Sequence, residues 1–248
     1  MLFLQGMRNL LIVLLATWVF CAKRSVAQDA PGLGSWNILN LKYGISKNWS
    51  LFGEAQLRSL RFYEHFHYYE HKGGVNYQPI PQLRLTLGLG DYDTYAEGGN
   101  FVTPKNNDEL RIWPQINFTH KVGAFVLEQR YRAEFRFTQQ GFRNRYRYRL
   151  GVSYPFGNPK AGYLPFQVSV GNELFFTNRE PYFERNRINL AFSYRYSTAV
   201  TFQAGYLHQF DYRINDETGR DFLQLGVYFE LSRNSSKQKP GNIEMKDN

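Results

Sequence analysis

Residues 127–156, LEQRYRAEFRFTQQGFRNRYRYRLGVSYPF, alternate between charged and apolar side chains over almost their whole length. The first half carries its charges on every second position: Glu128, Arg130, Arg132, Glu134 and Arg136. After a polar joint at 138–142, the second half does the same: Arg143, Arg145, Arg147 and Arg149. Strict alternation indicates extended strands, because successive side chains of a strand point to opposite sides. A charged face opposite a face of rings and aliphatics favours a transmembrane β-barrel, with apolar side chains toward lipid and polar ones toward the lumen.

The composition points to the same class of fold. Aromatic residues make up 17% of the 248 residues, yet the mean hydropathy is only −0.50. Beyond the N-terminus, no apolar run reaches the roughly 18 residues that a membrane-spanning helix needs. Only helices and closed barrels satisfy every backbone polar group in lipid. We therefore expect a single all-β domain, a transmembrane antiparallel up-and-down barrel.

The N-terminal residues 1–27 have the pattern of a secretory signal peptide. Arg8 gives a positive start, and an apolar core leads to a small-x-small cleavage site, Ser-Val-Ala, before Gln28. Met1 and Met7 are both candidate start residues. A short membrane anchor is the alternative interpretation, which the shortness of the apolar core disfavours. We expect export to the outer membrane of a Gram-negative bacterium.

The cysteine content and the net charge further limit which kinds of protein this chain can be. Cys21 is the only cysteine, so removal of the signal peptide leaves no disulfide framework. The formal net charge is +9, but the excess is arginine interleaved with glutamate on strand faces, which argues against nucleic-acid binding. After the signal peptide we expect a leader at 28–34, the barrel at 35–231 and a flexible polar tail at 232–248.

The alternation repeats along the chain and gives eleven candidate strands. Bacterial single-chain barrels have even numbers of strands. We therefore expect about twelve strands, with one hidden near the leader, or ten if the first segment lies outside the wall. Tight turns on one rim are expected near residues 45, 80, 121 and 198, and longer loops on the other rim at 96–107 and 213–220.

Most charged residues fall on the predicted inward positions. The lumen-lining candidates are Glu54, Arg58, Glu70, Lys72, Arg84, Glu109, Arg111, Glu128, Arg130, Arg132, Glu134, Arg136, Arg145, Arg147, Arg149, Glu173, Arg185, Arg187 and Arg195. They form either a structural ion-pair network that fills a narrow lumen, or a basic track that guides small anions through a porin-like passive channel. We favour the structural interpretation and keep the channel as the alternative. Outer-membrane lipid is the expected partner, and no cofactor is expected.

Metal binding has weak support in the sequence. His65, His67 and His71 share one predicted strand face, and a His-x-His pair can ligate zinc or copper. No carboxylate or cysteine of matching phase lies nearby in the sequence, so we expect no metal site.

Catalysis has equally weak support. An outer-membrane lipid-modifying enzyme would need a serine or aspartate activated by histidine. His208 with Asp211, or Ser59 near His65, offers the residue types without any local signature. We therefore expect that the protein is not an enzyme.

Several motifs occur together in an order that resembles one family. They are the charged pair 128–136 and 143–149, Asn172-Glu173, Asn186-Arg187 and Gly205-Tyr206. In this order they resemble an uncharacterised outer-membrane β-barrel family common in the Bacteroides–Cytophaga group of bacteria, over residues 36–229. The resemblance implies a barrel fold and an outer-membrane location. It implies no activity, because the family resembled has none assigned to it.

Overall fold

The computed structural model describes residues 32–212 and 218–233, which form one closed β-barrel. Its strands are β1 (Leu33–Gly44), β2 (Trp49–Arg61), β3 (Glu64–Ile80), β4 (Leu83–Ala96), β5 (Val102–Val122), β6 (Phe125–Thr138), β7 (Gly141–Phe156), β8 (Phe166–Thr177), β9 (Phe183–Arg195), β10 (Val200–Asp211) and β11 (Thr218–Ser232). Within these residues, no helix is long and apolar enough to cross a membrane. The predicted signal peptide and most of the predicted leader and tail lie outside the described residues.

The barrel closes through a parallel pair of strands. Each strand from β1 to β11 pairs antiparallel with the next one in the chain, and β1 then pairs parallel with β11, from Leu33 opposite Asp221 to Gly44 opposite Ser232. The all-β closed barrel expected from the sequence is confirmed, and its described strands number eleven rather than twelve or ten. An odd number of alternating strands makes the first and last run in the same direction. A parallel ladder still pairs both edges, so no strand edge is left open.

The connections between strands lie on two rims. The lower rim carries the connections 45–48, 81–82, 123–124, 157–165 and 196–199. The upper rim carries 62–63, 97–101, 139–140, 178–182 and the link between β10 and β11. Both rims have two-residue turns, so the expected division into a rim of tight turns and a rim of long loops is not seen. The loop expected at 96–107 is short because β5 already begins at Val102 and its polar first residues pair with β4.

The alternation of β4 shows which way the two faces of the wall point. Leu87 and Leu89 are 60% and 59% exposed, whereas Thr86 and Gly88, the residues that alternate with them, are buried. On β5 the buried phase contains Trp113, with 0% exposure. The apolar face therefore covers the outside of the barrel and the polar face lines its interior, the opposite of a soluble barrel.

Aromatic side chains occupy part of the interior beside the charged residues. One buried cluster contains Tyr68, Tyr92 and Trp113, and a second contains Trp36, Leu207 and Phe222. Gly88 faces inward under the indole of Trp113, where an added Cβ would lie 2.4 Å from ring atoms. Only glycine fits so close an approach between backbone and ring.

Candidate functional site: the charged lumen

A cavity of about 1290 Å³ occupies the interior of the barrel. Its lining reaches from Lys42 and Arg84 near the lower rim to Glu97 and Arg179 near the upper rim. Basic side chains in the lining outnumber acidic ones about two to one. The interior is therefore a polar space with an excess of positive charge.

The structure places most of the predicted lumen residues around this cavity. Those in its lining are Glu54, Arg58, Glu70, Lys72, Arg84, Arg111, Glu128, Arg130, Arg132, Arg136, Arg145, Arg147, Arg149, Glu173, Arg185 and Arg187. Glu109 and Glu134 are inside the barrel but covered, at 0% and 1% exposure. Arg195 lies apart, because it ends β9 at the lower rim, where its guanidinium lies 4.5 Å from the Tyr163 ring centroid.

Glu109 joins β5 to β6. Arg111 donates from Nε to Oε1 at 2.6 Å and from Nη2 to Oε2 at 3.1 Å. Arg136 donates from Nη2 to Oε2 at 2.8 Å, and its Nε also donates to Oε1. Asn107 adds a hydrogen bond of 3.0 Å to Oε2. Two guanidinium groups, each bonding both carboxylate oxygens, thus hold one fully buried acid, which is the strongest geometry for such a pair.

Arg147 joins two further acids. Its Nη1 donates to Glu134 Oε1 at 2.7 Å, and its Nε donates to Glu173 Oε1 at 2.8 Å. Glu134 also accepts from Arg145 Nε at 2.7 Å, and Glu173 accepts from Arg130 Nη2 at 2.5 Å. These five side chains link β6, β7 and β8 in one continuous network.

A third group of ion pairs links β2 and β3. Arg58 Nη2 donates to Glu70 Oε2 at 2.9 Å, and Tyr68 and Lys72 also donate to this carboxylate. Lys72 Nζ in addition lies 2.6 Å from Glu54 Oε1. Every acid in this group has a partner, so its burial leaves no uncompensated negative charge.

Arginines also stack on the interior rings. The guanidinium carbon of Arg58 lies 3.5 Å from the Trp36 ring centroid and 3.9 Å from that of Tyr68. That of Arg187 lies 4.9 Å from the Trp36 centroid and 4.8 Å from that of Phe175. A cation over an aromatic face is attracted by the ring quadrupole, and more strongly when water is excluded. These stacks therefore fill space and stabilise charge together.

Burial of the inward charged side chains increases from the lower rim toward the upper half of the barrel. There Glu134 and Arg145 are 1% and 3% exposed. Near the lower rim, the side chains of Arg84 and Glu128 are 35% and 36% exposed, and their closest nitrogen and oxygen atoms are 3.6 Å apart. We call the buried upper part the packed layer: Trp36, Arg58, Tyr68, Tyr92, Glu109, Arg111, Trp113, Glu134, Arg145 and Phe175. The lower, more exposed part of the same cavity is the vestibule, lined among others by Arg84, Glu128 and Arg149, and the cavity continues between side chains of the packed layer such as Arg58 and Arg111.

Some arginines face other arginines directly across the sheet. Such pairs are Arg111–Arg136, Arg130–Arg149 and Arg132–Arg147. Like charges directly opposite each other destabilise a sheet, and a shared acid relieves this in most of these pairs. Arg149 is the exception, because it forms neither a hydrogen bond nor an ion pair within the described residues.

Residues 33–220 match the family described as "Protein of unknown function (DUF2490)". The chain belongs to this family. The match covers most of the barrel and confirms the expected membership in a family without an assigned activity. No curated protein matches the DUF2490 chain.

A solved structure similar to the DUF2490 chain is an anion-selective porin from Comamonas acidovorans, with 14% sequence identity and a TM-score of 0.36. The similarity covers 72% of this chain and 55% of the porin chain, so the DUF2490 chain spans about half the length of the porin.

The structure separates the three histidines considered from the sequence. His67 is buried and lines the cavity, whereas the His71 side chain is 66% exposed and its Nε2 lies 3.8 Å from Asp91 Oδ2 on the outside. His65 lies at the start of β3 with a φ of 55°. A bulge in the pairing of β2 and β3 puts His67 out of phase with its neighbours. The three rings therefore do not meet at one site.

The residue types considered for catalysis are arranged differently from the expected pairs. His208 Nδ1 lies 2.7 Å from Asp221 Oδ1, rather than meeting Asp211, which accepts from Arg185 inside the barrel. Ser59 Oγ lies 2.6 Å from Ser35 Oγ. Neither expected pair is formed.

Four acids in the cavity lining were not among the predicted lumen residues: Glu97, Glu180, Glu184 and Asp211. Asp211 accepts from Gln209 Nε2 at 2.6 Å and from Arg185. Glu184 accepts from Arg145 Nη1 at 3.0 Å, although it alternates with the inward residue Arg185. The pairing of β8 with β9 shifts register next to this point, which the period-two pattern does not reveal.

A cluster of acids lies on the outer face near the upper rim. Asp91, Asp93 and Asp108 have carboxylate oxygens within 4.8 Å of one another. Lys105 Nζ lies 2.6 Å from Asp93 Oδ1 and 3.3 Å from Asp108 Oδ2. Lys105 thus pairs with two of the three acids, so the cluster is explained as a group of ion pairs.

Proposed function

We propose that this protein is an outer-membrane β-barrel of Gram-negative bacteria whose charged lumen is a structural network that closes the upper half of the barrel. The proposal includes export through the N-terminal signal peptide and the distribution in the Bacteroides–Cytophaga group. It treats the protein as a barrel without catalytic activity. Lipid is its proposed partner on the outside.

The outer surface supports the membrane location. Large apolar side chains face outward on all parts of the wall, as Leu87 and Leu190 do at 60% and 53% exposure. A closed barrel leaves no strand edge unpaired, which a chain in lipid requires. Outward rings gather near the ends of strands. Examples are Trp49 with Tyr77 near the lower rim, at 4.7 Å between centroids, and Phe137 with Phe142 near the upper rim, at 5.2 Å. Rings at both interfaces are typical of membrane proteins.

One observation carries the structural role: the buried acids of the packed layer each bind at least one arginine of a neighbouring strand. Glu109 holds Arg111 and Arg136, and Glu134 holds Arg145 and Arg147. Removing one partner of such a buried group leaves an uncompensated charge, which is strongly destabilising. The acids therefore keep neighbouring strands together from the inside, where a soluble protein would use an apolar core.

Membrane fractionation and gel mobility test the location and the barrel. The protein should be recovered with the outer membrane, and the unboiled form should migrate differently from the heated form. Recovery as a soluble periplasmic monomer would contradict the proposal.

A passive anion-preferring channel is the second candidate. It is favoured by Arg149 and Arg187, which line the cavity without an ion-pair partner within the described residues. Fixed guanidinium charge raises the local concentration of anions. If the lumen conducts, reversal potentials in a salt gradient should show anion preference, and changing both residues to Gln should weaken it. Arg195→Gln, which removes an arginine outside the cavity, is the matched control.

A further inference from the structure

We propose that the wall of β6 to β9 holds a binding site for a small oxyanion, a phosphate or a carboxylate, at the floor of the vestibule. Its positive groups are the guanidiniums of Arg130, Arg149 and Arg187, arranged around Glu173. The site requires binding only, and does not depend on whether the lumen conducts.

The strand register brings these residues together. Arg130 lies directly opposite Arg149, Arg149 opposite Glu173, and Glu173 opposite Arg187. All four residues line the cavity. Directly opposite residues on neighbouring strands have Cβ atoms about 4.5–5.5 Å apart. Three guanidinium groups and one carboxylate thus form a continuous row across four strands.

The single acid in this row is already shared between two arginines through its Oε1 atom. Glu173 Oε1 lies 2.5 Å from Arg130 Nη2, 2.8 Å from Arg147 Nε and 2.7 Å from Arg147 Nη2. Arg187 donates from Nε to Gln209 Oε1 at 2.8 Å, a neutral partner, and is only 9% exposed. Arg149 has no hydrogen-bonded partner within the described residues. Two positive charges of the row therefore lack a negative one.

The same row of residues also contains a buried hydrogen-bond donor without an acceptor. Arg130 Nε is buried and makes no hydrogen bond within the described part of the chain. A buried donor without an acceptor costs free energy, and a buried unpaired charge costs more. An oxyanion would supply both the missing acceptor and the missing charge.

The inward glycine Gly151 leaves room beside Arg149. Gly151 and Gly171 are directly opposite each other on β7 and β8. A Cβ on Gly151 would meet no atom nearer than 3.8 Å, whereas a Cβ on Gly171 would lie 2.6 Å from Asn189 Oδ1 and 3.5 Å from Arg149 Nε. Gly151 therefore leaves a niche in the wall, whereas the space over Gly171 is filled by the Asn189 amide next to the Arg149 guanidinium.

The chemistry of the niche selects the class of ligand. A guanidinium presents parallel N–H donors that match the paired oxygens of a carboxylate or phosphate. An amide side chain such as that of Asn189 can add a neutral donor to a third oxygen. Chloride lacks this set of oxygens, so oxyanions should bind better than chloride at equal ionic strength.

Calorimetric titration of the purified barrel in detergent tests the site, with inorganic phosphate and acetate as probes in chloride buffers of constant ionic strength. Saturable binding of either probe at one site per chain is expected; phosphate alone or acetate alone would define the preferred class. Arg149→Gln should weaken the binding about tenfold or more, because a charge-assisted bond is lost. Arg195→Gln, at the lower rim, should leave it unchanged.

Gly151→Leu provides a second test without a change of charge. The leucine side chain would fill the niche next to Arg149, so binding should be lost while the heat-shifted gel band shows an intact barrel. If neither phosphate nor acetate binds the wild type, the site does not exist. Undiminished binding by both the Arg149→Gln and Gly151→Leu variants would also overturn the proposal.

Discussion

Arg130 and Arg149 lie directly opposite each other on β6 and β7, but only Arg130 reaches a carboxylate, with its Nη2 2.5 Å from Glu173 Oε1. This pair illustrates how charge is distributed in the lumen. Acids are fewer than bases, and the buried acids Glu109, Glu134 and Glu173 are each shared between at least two guanidiniums. The shared acids stabilise the wall, and the arginine that remains without one is available to a ligand.

Loss of a buried acid should destabilise the barrel. Glu134→Gln leaves Arg145 and Arg147 without a shared charge, and breaking such a buried pair costs about 3–5 kcal/mol. Urea unfolding of the purified barrel in lipid or detergent should show this loss. Glu128→Gln is the matched control, because the half-exposed Glu128 lies 3.6 Å from Arg84 and an exposed pair contributes about 1 kcal/mol or less. Equal effects of the two substitutions would contradict the structural role of the packed layer.

A charge on the outer surface should hinder membrane insertion. Leu87 is 60% exposed between other outward leucines of β4. Leu87→Arg should cost about 2–4 kcal/mol if this position lies near the middle of the membrane. Ile45→Arg, in a lower-rim connection, adds the same charge where the cost falls to about 0–1 kcal/mol. Folding yields into lipid vesicles measure the difference, and a harmless Leu87→Arg would place the apolar face away from lipid.

Because Trp113 packs directly against Gly88, we expect that a larger residue at position 88 destabilises the barrel. A Cβ at this glycine would lie 2.4 Å from the indole ring, so Gly88→Ala should destabilise the barrel by about 1–3 kcal/mol through overpacking. Gly53→Ala adds the same methyl group where no atom lies within 4 Å, and should have little effect. The temperature of the gel shift can be compared for the two variants. Similar temperatures would mean that the indole does not lie over the β4 backbone.

The parallel closure predicts which positions can be cross-linked. Leu39 on β1 lies opposite Val227 on β11, so a chain with cysteines at both positions should be joined by a short thiol cross-linker. Leu231, four residues further along β11, lies about 13 Å away along the strand, and the pair of Leu39→Cys with Leu231→Cys should not react. Cys21 is the only native cysteine, so background reaction is limited to the predicted signal peptide. An additional strand between β1 and β11 would abolish the first cross-link.

The period-two pattern predicts much of the fold because it records the direction of each side chain. It placed Glu109, Glu134 and Arg147 on one inward phase, and the structure has them inside the barrel. It could not predict how deeply each is buried, because depth depends on which strands lie across the lumen. The stack of Arg58 between Trp36 and Tyr68 is an example of such a contact.

The sequence pattern also does not predict how the barrel closes or where the strand pairing is irregular. The antiparallel hairpins follow from turns between consecutive strands, but the pairing of β1 with β11 joins the first and last described strands, which are far apart in the sequence, and has no local signal. The alternation of β9 would place Glu184 on the outside of the barrel. The register shift near Phe175 lets it line the lumen instead. The bulge near Arg58 similarly affects the phase of β3.

Ionic current through the purified barrel in a planar lipid bilayer tests most directly whether the packed layer closes the lumen. The ion-pair network and the ring stacks predict no steady conductance for the wild type. A steady current whose reversal potential in a salt gradient has the sign of anion preference would contradict closure and favour the channel.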